Sequence, residues 1–159
     1  MSAESLISTM KKLLKIHQSL LELAAQKTDI VIKGDMDALK KILKDEHAHI
    51  AAISKLESER QRRAKAIVSG MSKPTITDCI NAAEGDDKDQ LYQLRTEIVD
   101  LVSRIKEKND LNQQLIYQSL HFVNLSLSLI LPQPEEYNYG PEPGKPNLGY
   151  SPGLFNSKA

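Results

Sequence analysis

The sequence predicts an all-α protein, built as an antiparallel helical hairpin plus a long third helix in a coiled-coil-like three-helix bundle, with a C-terminal tail. Only 4 % of the 159 residues are aromatic and Trp is absent. Gly and Pro are scarce before residue 132, as in proteins of long helices and unlike β-sandwiches. Three long stretches also repeat apolar residues at the spacing of a helix.

The first predicted helix covers about residues 4–33. Gly34 suits the left-handed conformation that closes a helix, and Asp35 can accept the free amide hydrogens that open the next one. So short a connection folds the second helix back antiparallel to the first. The apolar positions of the first helix are Leu6, Met10, Leu13, Leu14, Leu20, Leu21, Ala24 and Val31.

The second helix is predicted over about residues 36–68 and ends at Ser69-Gly70. Basic side chains in its last turns complement the negative pole of the helix dipole, and Glu59 lies four residues before Arg63, where the two can pair. We interpret this basic run as a stabilised helix end.

The third predicted helix follows a short one. Thr75 and Asp78 have the spacing of a capping box, which predicts a short helix over 76–83. Gly85 ends it, and a helix over 87–131 follows, roughly 65 Å long at 1.5 Å per residue. Part of so long a helix is expected to extend past the hairpin or to be covered by another chain.

The end of the third helix, residues 115–131, is apolar on two faces. A small domain can bury one such face, so the second must have a role beyond folding. We call them the Leu115 face, comprising Leu115, Phe122, Leu125 and Leu129, and the Ile116 face, comprising Ile116, Leu120, Val123, Leu127 and Ile130.

The composition changes at Pro132. Residues 132–159 hold six of the seven Pro and four of the seven Gly, so we predict one helical domain over 1–131 and a Pro/Gly-rich, disordered or extended tail over 132–159. Tails of this kind often bind partners in extended form.

Charge and hydropathy exclude several partners. The formal net charge is zero, which argues against nucleic acid and anionic membranes. Residues 115–131 fall short of the roughly 20 apolar residues that span a bilayer. Cys79 is the only cysteine and no secretory h-region is present, so a cytoplasmic protein without disulfides is expected.

No arrangement of residues indicates catalysis, a metal or a cofactor. His47 and His49 point in roughly opposite directions on a helix, and no metal-ligand spacing occurs. Cys79 lies in no nucleophile motif, and the glycines are too dispersed for a phosphate loop. We therefore predict a protein that is not an enzyme, with no metal and no cofactor.

Asn109 and Asn112 lie three residues apart and share a helix face, just before the apolar end. They could form a polar layer that fixes the register of packed helices. They could equally donate and accept hydrogen bonds with a visiting helix. The residues alone leave both roles open.

These pieces together resemble the FlgN family of flagellar export chaperones. The resemblance rests on N-x-x-N-x-x-L at Asn109, Asn112 and Leu115, on the apolar helix end, and on YGPEPG at Tyr139 to Gly144. It implies a cytosolic chaperone that binds the C-terminal helical segment of hook-associated proteins of the FlgK and FlgL type. It would then deliver them to the type III export gate.

The resemblance also implies sites. The Ile116 face, with Asn109 and Asn112, would bind the client helix. Tyr139 and Gly140 would dock on the cytosolic domain of the gate, of the FlhA type, although Pro143 departs from the Tyr-Gly-x-Asp-Gly often found in the family and Tyr137 is a rival.

The second apolar face is also compatible with two further kinds of protein. It could be the interface of a structural homo-oligomeric coiled coil, or the chain could be another helical secretion adaptor. A client groove would leave the free protein monomeric or a weak homo-oligomer, whereas a structural coiled coil would be a tight one.

Overall fold

The computed structural model describes residues 3–131. This part of the chain holds four helices and no strand: α1 Ala3–Lys33, α2 Met36–Ile67, α3 Ile76–Ala82 and α4 Gly85–Ile130. The all-α prediction is confirmed. Each predicted helix end lies within two residues of the observed one, and the predicted tail falls outside the described residues.

The chain divides into two compact units, Met1–Asn112 and Gln113–Ala159. The second unit is described over residues 113–131. The boundary falls inside α4, which is one helix of 46 residues, about 69 Å long at 1.5 Å per residue. The assignment of 1–131 to one domain stays a prediction.

The α1–α2 turn forms as its local sequence predicts. Gly34 adopts φ +70°, a conformation that costs a glycine little. The side chain of Asp35 accepts a hydrogen bond of 3.0 Å from the backbone N–H of Ala38, which caps α2. The chain therefore reverses within two residues.

Polar contacts join α1 and α2 along their length. They place early residues of α1 beside late residues of α2, so the two helices are antiparallel. The contacts are Thr9 Oγ1 with Glu59 Oε1 at 3.5 Å, Ser19 Oγ with His49 Nε2 at 2.7 Å and Lys27 Nζ with Glu46 Oε2 at 3.1 Å. The predicted pair Arg63–Glu59 is also present, at 2.7 Å.

A capping box begins α3, as the sequence predicts. Thr75 N–H donates to Asp78 Oδ2 at 2.7 Å, and Asp78 N–H donates to Thr75 Oγ1 at 3.2 Å. The hydrogen bonds from the Thr75 side chain and backbone hold the pKa of Asp78 below its ordinary value. The short helix then places Cys79 and Ile80 in the core.

The core of the first unit forms around the buried side chains of α1, which share one hydrophobic cluster with residues of the other three helices. Leu91 and Leu94 of α4 pack near the start of α1, whereas Asn112 bonds to Ala24 and Thr28 farther along it. The first part of α4 therefore runs parallel to α1. The cluster contains Leu6, Ile7, Met10, Leu13, Ala64, Cys79, Ile80, Leu91 and Leu94.

Candidate functional site

The end of α4, residues 113–130, is a helix with a large exposed apolar surface. No Asp, Glu, Lys or Arg occurs between Leu111 and Pro134. Every large apolar side chain from Phe122 to Leu131 is between 48 % and 79 % exposed. Apolar side chains exposed singly are ordinary, but a contiguous set indicates a surface that meets something else.

The exposure of the Ile116 face increases toward the end of α4. Ile116 and Leu120 are half-buried, whereas Val123, Leu127 and Ile130 are 50 %, 48 % and 77 % exposed. Its last two turns therefore offer three branched aliphatic side chains to a partner.

The Leu115 face is exposed as well. Leu115 is half-buried, but Phe122, Leu125 and Leu129 are 69 %, 53 % and 79 % exposed. The sequence led us to expect that the domain buries one of the two faces. In the described residues both are exposed from Phe122 onward, because spacing along a helix tells which residues share a face and not what covers them.

Polar side chains lie between the two apolar faces, and at least one of them needs no hydrogen bond from a partner. Ser128 Oγ donates to the backbone carbonyl of Leu125 at 2.7 Å, so this hydroxyl is bonded within its own helix. Tyr117 is 73 % exposed on the side that holds Asn124 and Ser128, and the two-face prediction missed it. The sequence signal that identifies it is an aromatic residue that belongs to neither the Leu115 face nor the Ile116 face.

Asn112 is committed to the fold of the first unit. The residue is 1 % exposed, and its Nδ2 donates to the carbonyl of Ala24 at 2.9 Å. Its Oδ1 lies 2.5 Å from Thr28 Oγ1, the donor. A flipped amide would set two acceptors against each other at Ala24, so the network fixes the orientation. These contacts are those of a polar layer between packed helices.

Asn109 differs from its neighbour in the motif. The residue is half-buried, and its Oδ1 is covered yet has no hydrogen-bond donor within the described part of the chain. The motif therefore comprises one asparagine bonded across helices and one with an unpaired acceptor. Tyr139, Gly140 and Tyr137, the residues predicted for gate docking, lie outside the described residues.

Residues 3–131 contain no group of three or more His, Cys, Asp or Glu that could hold a metal ion. Cys79 is fully buried, and desolvation raises the pKa of its thiol despite the nearby charge of Arg60. A buried thiol with a raised pKa is a poor nucleophile. None of the helices in this range is long and apolar enough to cross a membrane.

A family model described as "FlgN protein" matches residues 1–146, which include all four helices. The chain belongs to the FlgN family. It is also 32 % identical over 139 residues to the Bacillus subtilis (strain 168) protein described as "Uncharacterized protein YvyG", with 87 % of each chain covered. No solved structure matches.

Membership in the FlgN family supports a role as a flagellar export chaperone and assigns the chain to a family of chaperones rather than enzymes. The match continues through the exposed end of α4 and ends at residue 146. It therefore includes the YGPEPG stretch.

Proposed function

We propose that this FlgN-family protein is a cytoplasmic export chaperone that binds the C-terminal helical segment of hook-associated proteins, of the FlgK or FlgL type, and delivers them to the type III export gate. The client helix lies along the Ile116 face. The observation that carries the proposal is the exposed, uncharged apolar end of α4. It supplies the surface that helix-in-groove recognition requires, with anchors at spacings of three and four residues.

The residues of the Ile116 face differ in what they contribute. Val123, Leu127 and Ile130 are already accessible and can be buried by a client without any rearrangement. Asn112 is left out of the proposed surface, because its amide bonds to α1. Asn109 keeps an unpaired acceptor, which a donor on the client could reach after a change of side-chain conformation.

The size of the apolar surface suits reversible binding. Covering roughly 500 Å² of apolar surface, at about 25 cal/mol per Å², gives on the order of 12 kcal/mol before costs. Ordering a client segment that is disordered when free cancels much of this. A dissociation constant between micromolar and nanomolar is expected, which allows a carrier to release its cargo.

The first experiment measures binding of a labelled peptide from the C-terminus of a hook-associated protein of the same organism. Val123→Asp with Leu127→Asp should raise the dissociation constant at least about 100-fold, because two apolar contacts become buried carboxylates. Since both side chains are exposed in the free chain, circular dichroism should keep its helical signal.

The matched control places the same two charges on the other side of the same helix. Gln114→Asp with Gln118→Asp puts carboxylates at exposed positions, four residues apart and opposite the Ile116 face. Unchanged affinity is expected. Equal loss of binding in both double variants would show that charge alone disrupts the complex, and the Ile116 face would lose its assigned role.

We propose further that Tyr139 and Gly140 dock on the cytosolic domain of the gate, with the YGPEPG stretch and the family resemblance as support. Tyr139→Ala should leave client affinity unchanged and slow secretion of the client by cells that carry this variant. Tyr137→Ala tests the rival residue and should leave secretion unchanged. Normal secretion with Tyr139→Ala would contradict the proposal, and slowed secretion with Tyr137→Ala alone would assign docking to Tyr137.

A second candidate is a structural homo-oligomer, favoured by the exposure of the Leu115 face together with the Ile116 face. Multi-angle light scattering of the protein, alone and mixed with the client peptide, separates the two. A shift to a one-to-one complex supports the chaperone, whereas a stable oligomer that ignores the client supports the structural coiled coil.

A further inference from the structure

Thr28, Asn112 and the carbonyl of Ala24 form a buried polar knot between α1 and α4. The Thr28 hydroxyl has one hydrogen and two acceptors within reach, Asn112 Oδ1 at 2.5 Å and Ala24 O at 3.1 Å. The amide of Asn112 donates to the same carbonyl at 2.9 Å. Every polar atom of the Asn112 side chain therefore has a partner on α1.

The apolar residues of α4 do not define its position along α1 by themselves. Leu91, Ile98 and Ile105 are seven residues apart, as in a coiled-coil seam, so a shift of seven residues sets one apolar side chain where another was. Asn112 is the next residue in this column. A neighbouring column holds Leu94, Leu101 and Lys108, also seven residues apart. Lys108 distinguishes the shifted positions from the native one less than Asn112 does, because its aliphatic stem can pack while its ammonium reaches water.

We propose that Thr28 and Asn112 act as a register lock, which fixes the axial position of α4 on α1 within the first unit. A shift of seven residues toward the start of α1 would place the amide against His17 and Leu21, and the opposite shift would place it against Val31 and Asp35. Leucine, valine and an aspartate carboxylate have no hydrogen to donate in place of the Thr28 hydroxyl, and the Nδ1–H of His17 is already donated to the carbonyl of Leu13 at 2.7 Å. In either shifted position the Oδ1 of Asn112 would be buried without a hydrogen-bond donor, which costs free energy. The native position of α4 is therefore favoured over the two shifted positions.

Removal of the register lock should change the register of α4 without lowering the melting temperature, whereas removal of a purely stabilising contact would lower the melting temperature. Thr28→Val together with Asn112→Leu replaces both hydrogen-bond partners by apolar side chains of similar size, which is nearly neutral or stabilising for the fold. The double variant should melt within about 5 °C of its parent or above it. It should nevertheless lose its single register, since the seam then matches at more than one position.

Pulsed electron paramagnetic resonance measures the register. Spin labels go on Lys15→Cys in α1 and Asp110→Cys in α4, both exposed, with Cys79→Ala so that no other thiol reacts. The parent should give one narrow distance. The double variant should give a second population or a distance shifted by up to about 10 Å, the rise of seven helical residues.

Thr28→Ser is the conservative control, because it keeps the hydroxyl that bonds to Asn112. It should preserve the single distance of the parent. One unchanged distance in the double variant would overturn the proposal, because the apolar seam alone would then fix the register. Unfolding of the double variant would also overturn it, since the pair would be needed for stability rather than register.

Discussion

The two parts of α4 differ in what surrounds their apolar residues. Between Gly85 and Asn112 the column of Leu91, Ile98 and Ile105 is buried or half-buried, with Leu91 at 0 % and Ile105 at 3 % exposure. Elsewhere on this stretch charged residues are interspersed with exposed apolar side chains such as Val99. Between residues 113 and 130 charged residues are absent, and the apolar side chains are half-buried or exposed. Folding of the first unit accounts for the first pattern. It does not account for the second, which therefore calls for a partner.

Shortening one leucine in each part of α4 tests this difference most strongly. Leu91→Ala should lower the free energy of unfolding by about 2–5 kcal/mol, because it opens a cavity in the core. Leu125→Ala, at a side chain that is 53 % exposed, should change it by less than about 0.5 kcal/mol. Chemical denaturation followed by circular dichroism measures both. Equal losses would mean that residues 113–130 also belong to the folding core.

Hydroxyl groups allow a smaller version of the same comparison. Thr75→Ala removes the side chain of the capping box that begins α3, and should cost about 1 kcal/mol of stability. Ser128→Ala removes a hydroxyl that bonds to the backbone of its own helix at an exposed position, and should cost less than about 0.5 kcal/mol. Thermal melts of the two variants provide the measurement. A larger effect at Ser128 would contradict the division between a folding unit and an exposed helix end.

The smallest expected effect is a dependence on pH. The Thr75 hydrogen bonds lower the pKa of Asp78 in the folded chain, so this carboxylate stabilises the fold above its unfolded pKa of about 3.9. That contribution is lost as the pH falls through the lower, folded pKa. Asp78→Asn should therefore remove part of the acid sensitivity of unfolding below about pH 4. Parallel pH profiles for the variant and the parent would argue against it.

Local signals in the sequence predict most of the fold. Gly34-Asp35 and the Thr75–Asp78 capping box determine their turns through contacts within four residues, so the helix ends follow from neighbouring side chains. Gly85 was predicted to end the short helix, but α4 already begins at this residue, which takes φ +57°. Glycine is compatible with either assignment.

The candidate site is less predictable because it depends on distant contacts or on their absence. Asn112 bonds to Thr28 across 84 residues of sequence, and no local pattern distinguishes that role from contact with a client. Periodicity likewise groups Val123 with Leu127 but gives no information on whether anything covers them. Exposure is a property of the whole packing arrangement.

The uncharged end of α4 also determines how a complex formed there would respond to its surroundings. Residues 113–130 contain no Asp, Glu, Lys or Arg, so screening by salt would leave such a complex largely in place. Its formation would instead lower the heat capacity, and excluded salts such as sulfate would strengthen it. A carrier of this kind would not release its cargo by a change in ionic strength. Release of the bound client helix from α4 would require a competing apolar surface or the unfolding of that helix itself.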